Sequence, residues 1–225
     1  MDTNNNKLWE TVHASRQWGK YPPEDVIRFI MNRYSSLPAN EREDVKVLDI
    51  GCGQGAVSWF LAREGFSVTG VDVSPSAIEK ARQYLEQDGL KAELQVADMK
   101  ALTLPKEGFD CILDIESVYT HTIADIKNIY GDLFTLLKSG GSLFTMAFST
   151  DCSNFGTGTK IEERTYTDIP SGSPGTGMVH YFERGELETI LKGIGYAEIE
   201  VNQKTVTRNN GRDIISQWMV YGSKK

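Results

Sequence analysis

Val45–Gly55 reads VKVLDIGCGQG, and the fold is decided there. Val45, Val47, Leu48 and Ile50 make a short apolar run suited to a fully buried strand. Gly51, Gly53 and Gly55 follow at alternate positions, and a helical pattern opens at Ala56. Strand, tight glycine turn and helix start together are the layout of a nucleotide site at the carboxyl end of a parallel strand. Glycines there let the backbone approach a ligand closely. The spacing is GxGxG, not the GxGxxG of dinucleotide binders, and no lysine follows as in a P-loop. Asp49, just before the first glycine, would repel a phosphate but suits a ligand bearing an ammonium or a sulfonium.

VLDIGCGQG resembles the first motif of class I S-adenosylmethionine-dependent methyltransferases. The likeness runs from Val45 to the C-terminus and more loosely from Trp18. It implies S-adenosylmethionine as cofactor and a Rossmann-like, doubly wound α/β sheet of seven strands in the order 3-2-1-4-5-7-6, the last antiparallel. Asp49, Gly51, Cys52, Gly53 and Gly55 would form the cofactor loop. Asp72, at the end of the second strand and 17 residues after Gly55, has the spacing of an acid that accepts from both ribose hydroxyls, with Val73 beside it. Asp98, after the third strand, matches the family's adenine-reading acid, flanked by Ala97 and Met99. Asp114 ends the fourth strand, FDCILDI (Phe109–Ile115). WGKYPPE (Trp18–Glu24) resembles the N-terminal entry of small-molecule methyltransferases, which makes Trp18 and Tyr21 lid candidates.

Composition narrows the partners. At 225 residues and 40% hydrophobic, the chain can bury a sizeable core. It reads as one methyltransferase domain over 1–225, with an N-terminal helical arm (1–40) and a substrate-side insertion (149–181). The formal net charge of −7 disfavours broad binding to nucleic acid or anionic membrane. No apolar run of about 18 residues suggests a membrane span, and the N-terminus lacks a signal-peptide core. Cys52, Cys111 and Cys152 show no metal-ligand spacing, so no metal is expected; reduced thiols point to cytoplasm. A homodimer is left open.

No strong core periodicity shows over residues 1–20, and helical spacing is clear over Val26–Tyr34, behind Pro22 and Pro23. Helices are expected at Ala56–Glu64, from Pro75 to Gly89, at Ala124–Leu137 and at Glu183–Gly193. LLKSGGSLFT resembles the family's segment between helix and fifth strand, with the strand at Ser142–Phe148. Ser149–Gly177 reads as a long Gly/Ser/Thr-rich loop, and such loops are usually functional. Asn209-Asn210-Gly211 signals a hairpin closing the sheet.

Methyl transfer from a sulfonium needs mainly alignment, with a base when the acceptor is a hydroxyl. His121 and His180 are candidate bases because histidine titrates near neutral pH, and Tyr119 is a candidate orienting group. The acceptor is expected to be an oxygen or nitrogen of a small molecule, a metabolite or sugar-derived compound. RNA or protein methylation, and binding of S-adenosylmethionine without catalysis, are the competing readings.

Overall fold

The computed structural model describes residues 3–170 and 177–225. The chain divides into two compact units, Met1–Leu113 and Asp114–Lys225.

In the first unit, β1 (Lys46–Ile50) is the apolar run of the glycine motif, with Val47, Leu48 and Ile50 fully buried. It pairs in parallel with β2 (Ser67–Asp72), and β2 pairs in parallel with β3 (Glu93–Val96). Two helices fill the crossovers, α3 (Ala56–Arg63) and α4 (Pro75–Gln87), and both pack on β2. Ser74 caps α4 by accepting from the Ala77 amide, with Pro75 in its first turn, as the sequence predicts. Before β1 come α1 (Thr3–Ser15) and α2 (Glu24–Tyr34).

Helix α1 lies in the expected N-terminal arm, in a stretch without strong core periodicity. Its buried side chains include Asn5 and His13, not an apolar stripe. It is pinned to α4 by polar contacts: the Ser74 and Ser76 hydroxyls donate to the Glu10 carboxylate, and Lys80 donates to the His13 carbonyl. A helix held this way shows no hydrophobic period in its sequence.

β4 (Phe109–Ile115) runs across the boundary between the units. The second unit continues with α5 (Ile123–Leu136), β5 (Leu137–Phe148), β6 (Thr159–Glu162), β7 (Thr165–Thr167), β8 (Val179–His180), α6 (Glu186–Ile194), β9 (Ala197–Arg208) and β10 (Asp213–Ser223). The main sheet has the order β3-β2-β1-β4-β5-β10-β9, with β10 antiparallel to both neighbours. Counting only the strands of this sheet, that is the expected 3-2-1-4-5-7-6. The hairpin turn falls at Asn209–Gly211, all three at positive φ.

Three local readings change. The KSGG segment belongs to β5: Gly140 donates to the Lys224 carbonyl and Lys224 to that of Gly141, so the C-terminus extends the pairing through the glycines. The stretch Ser149–Gly177, read as a structureless loop, carries β6 and β7, which form a small sheet with β8 just after it; its residues 171–176 lie outside the described residues. Helix α6 starts three residues late because Gly185, at φ 81°, caps it in the left-handed conformation. Among the described residues no helix is long and apolar enough to cross a membrane, and no group of His, Cys, Asp and Glu is arranged to hold a metal.

Candidate functional site

The glycine loop sits between β1 and α3. Gly51, Gly53 and Gly55 all have positive φ, at 65°, 53° and 83°. At Gly55 the requirement is also steric: an added Cβ would lie 2.7 Å from the Ala81 Cβ, so the α3–α4 contact depends on its absence. The Cys52 amide donates to Val71 across the strand ends, and burial pushes the Cys52 thiol pKa well up.

Three carboxylates terminate three successive strands. Asp49 is almost fully buried, and Ser58 donates to its Oδ2 at 2.6 Å. Asp72 accepts from the Gly53 amide on Oδ2 and from the Ser74 amide on Oδ1, both at 2.9 Å, so it braces the glycine loop against the start of α4. Burial raises its pKa, against the pull of these amides and of His13. Ala97 donates to the Asp72 carbonyl and fixes the end of β3. Asp98 follows, with Oδ1 accepting from the Lys100 amide and Oδ2 from Asn6. Val73 and Met99 are partly exposed beside Asp72 and Asp98.

Sequence reasoning expected a helical arm over 1–40 and singled out Trp18 and Tyr21 in it, but missed the α1 residues that reach this loop. Asn6, Glu10 and His13 fall one helical turn apart on one face, at spacings of four and three residues. Asn6 reaches Asp98 and Glu10 grips the first turn of α4. The His13 ring is the nearest atom set to Gly53, 3.5 Å from where a Cβ would stand. Burial lowers the His13 pKa, while Asp72 acts to raise it. The four-and-three spacing was the available signal. Gln54 locks the following segment by donating to the Arg16 carbonyl and accepting from the Trp18 amide. The Trp18 ring lies 5.4 Å from that of His13, and Tyr21 meets Trp59 edge-on. Both lid candidates are exposed, Tyr21 at 72%.

The second unit holds the remaining sequence-predicted residues. Asp114 is not open to a cofactor, which corrects that expectation. Its Oδ1 accepts from the Ser117 amide, the Ser117 hydroxyl and the Val118 amide, and its Oδ2 from Tyr130 and Thr145. It is fully buried and organises the turn after β4. Tyr119 lies in that turn, nearly buried, its ring edge-on to Phe148 at 5.0 Å; burial and the Glu116 charge push its hydroxyl pKa well up. The His121 Nδ1 lies 3.2 Å from the Val118 carbonyl, which fixes the ring to the same turn. His180 is fully buried on β8, which packs against the turn Val118–Thr120, with Nδ1 2.8 Å from the Thr165 hydroxyl. Its Nε2 is 3.5 Å from Glu186 Oε1, near enough for a charge contact but not aligned as a hydrogen bond. His121 and His180 thus make different hydrogen bonds, to Val118 and to Thr165.

The donor set in the first unit fits S-adenosylmethionine. Three acids at the strand ends suit a ligand with a cationic sulfonium, an ammonium and a ribose diol. A pyrophosphate would meet repulsion there. Comparison with known proteins agrees. Residues 47–141 match the family described as a methyltransferase domain. The ubiquinone biosynthesis O-methyltransferase of Chelativorans sp. is 30% identical over 187 residues, 81% of this chain and 72% of that protein. The protein of the same name from Coxiella burnetii is 39% identical over 109 residues, but these span only 48% of this chain and 44% of the relative. The crystal structure of a SAM-dependent methyltransferase from Methanosarcina mazei superposes with TM-score 0.68 at 25% identity, covering 87% of this chain and 97% of that one. The chain belongs to the class I S-adenosylmethionine-dependent methyltransferases, whose cofactor is S-adenosylmethionine.

Proposed function

We propose that the protein transfers the methyl group of S-adenosylmethionine to an oxygen or nitrogen atom of a small molecule, a metabolite or sugar-derived compound. The observation that carries this reading is the set of strand-end acids Asp49, Asp72 and Asp98 around a positive-φ glycine loop. Asp72 would accept from the ribose hydroxyls, and the positive-φ glycine turn would receive the amino-acid end. Asp98 would read the adenine amino group in exchange for Asn6. When bound, the cofactor supplies a methyl carbon on an already activated leaving group. The chain therefore has to orient, desolvate and, for a hydroxyl acceptor, remove a proton.

Oxygen is favoured by the names of the two relatives, both O-methyltransferases. The net charge of −7 favours a small molecule over a polyanionic nucleic acid. The test is to incubate the protein with methyl-tritiated cofactor and a fractionated cell extract. Label in the small-molecule fraction supports the proposal. Label confined to RNA or protein overturns it.

A further inference from the structure

The last strand of the main sheet, β9, runs for 12 residues and is bonded on one side only, to β10. The strand at the opposite end of the sheet order, β3, has four residues. A long open edge offers unpaired N–H and C=O groups to any strand that reaches it, and proteins blunt such edges by shortening, bulging or covering them. β9 is interrupted near its start. Glu198 has φ 51°, and the register with β10 shifts beside it, between Tyr221 and Ser223. From Glu200 to Arg208 the pairing is regular. Helix α6 packs against β9, and Ile199 and Val201 are half-buried, but Glu200, Asn202, Gln203, Thr205, Val206 and Arg208 are exposed.

The register shows which residues face the edge. The Ser149 amide donates to the Ser216 carbonyl, so even-numbered residues of β10 turn their backbone groups toward β5 and odd-numbered ones toward β9. The partners of those odd-numbered residues are Glu200, Asn202, Lys204, Val206 and Arg208. The residues between them, Val201, Gln203, Thr205 and Thr207, therefore aim their N–H and C=O groups at the open edge. Glu200, Asn202 and Lys204 share one face of the strand, because side chains repeat every second residue. Asn202 donates to the Glu200 carboxylate at 2.9 Å, which keeps the acid close to the strand. Glu198 and Arg208 continue the same polarity, acid toward the start of β9 and base toward its end.

We propose that two copies of the protein pair their β9 strands antiparallel about a two-fold axis at Asn202, forming a homodimer whose sheets join edge to edge. That register sets Glu200 of each copy directly opposite Lys204 of the other. Because the edge-facing groups belong to the alternate residues, Glu200 and Lys204 fall in the non-hydrogen-bonded pairs of the new ladder, where side chains come closest. The two-fold axis makes this pair twice, and opposite charges placed so support the pairing. Parallel in-register pairing would put Glu200 on Glu200 and Lys204 on Lys204, so the same pattern works against it. The bulge at Glu198 ends the regular ladder just outside the paired stretch. A closed two-fold contact occupies the β9 edge of both copies and leaves neither for a third. The pairing uses neither the glycine loop nor its acids.

Sedimentation equilibrium of the full chain reads the association directly, and the wild type is expected to be a dimer at micromolar concentration. Glu200→Lys and Lys204→Glu each turn the facing pairs into like charges, and each should raise the dimer dissociation constant by about tenfold or more. Mixed in equal amounts, the two variants should associate as tightly as the wild type, because each supplies the charge the other lacks. Recovery on mixing is a result that a merely unfolded variant cannot give. Hydrogen exchange of the wild type needs no substitution: the amides of Val201, Gln203 and Thr205 should be protected in the dimer and lose that protection on dilution into monomer. A monomeric wild type overturns the inference. So do single variants that dimerise as the wild type does, variants that fail to recover on mixing, and edge amides whose exchange ignores the dimer.

Discussion

Neutralising Glu186 should cost stability at neutral pH, and the cost should shrink in acid. Burial pushes the Glu186 carboxyl pKa up, but the His180 ring and the Arg164 guanidinium beside it outweigh that and hold it down at about 2, from an ordinary 4.5. Arg164 donates through Nη2 to Oε1 at 2.8 Å and through Nε to Oε2 at 3.2 Å, a two-pronged pairing that joins the strand pair β6–β7 to α6. At about 1.4 kcal/mol for each tenfold, the depressed pKa sets a ceiling of about 3 kcal/mol. Arg164 is 23% exposed, so solvent screening brings this to about 1.5 kcal/mol. The folded-state pKa lies below the unfolded one, so the contribution is fully present above the unfolded value and is lost as pH falls toward the folded one. Urea unfolding of the wild type and Glu186→Gln should show a gap of about 1.5 kcal/mol near neutral pH, closing by about 1 kcal/mol between about pH 5 and pH 3. A gap that stays constant over that range would refute the argument, because the pair would then contribute nothing through its charge.

Other substitutions probe the first unit and the turn after β4. Gly55→Ala should destabilise by about 2–4 kcal/mol, since it adds left-handed strain to a clash with Ala81; Gly53→Ala meets His13 at only 3.5 Å and should cost about 1 kcal/mol, so equal denaturation midpoints would be unexpected. Asp114→Asn places an amide donor among five donors and should cost about 2–4 kcal/mol by urea unfolding. Asp72→Ala should weaken cofactor binding by about one to two orders of magnitude, about 1.4–3 kcal/mol, with an unchanged affinity in a folded variant moving the ribose contact elsewhere.

What the sequence made legible was what a strand and a glycine turn encode locally. The apolar run before Gly51 and the acids at the ends of β1, β2 and β3 mark three strand ends without any knowledge of packing. The partners of those acids were not legible. Asp114 reads like the others, as an acid at a strand end, yet Tyr130 of α5 and Thr145 of β5, 16 and 31 residues away, fill it. The contacts of helix α1 were hidden because Glu10 and His13 are held by hydrogen bonds and ring contacts, which leave no hydrophobic period. The small sheet was hidden because its strands are two to four residues long.

The central claim is that the glycine loop and its acids bind S-adenosylmethionine. Calorimetric titration of the protein with S-adenosylmethionine, S-adenosylhomocysteine and NADH tests it most directly. Micromolar binding of the first two and none of NADH is the expected result. Binding of NADH alone would contradict the account.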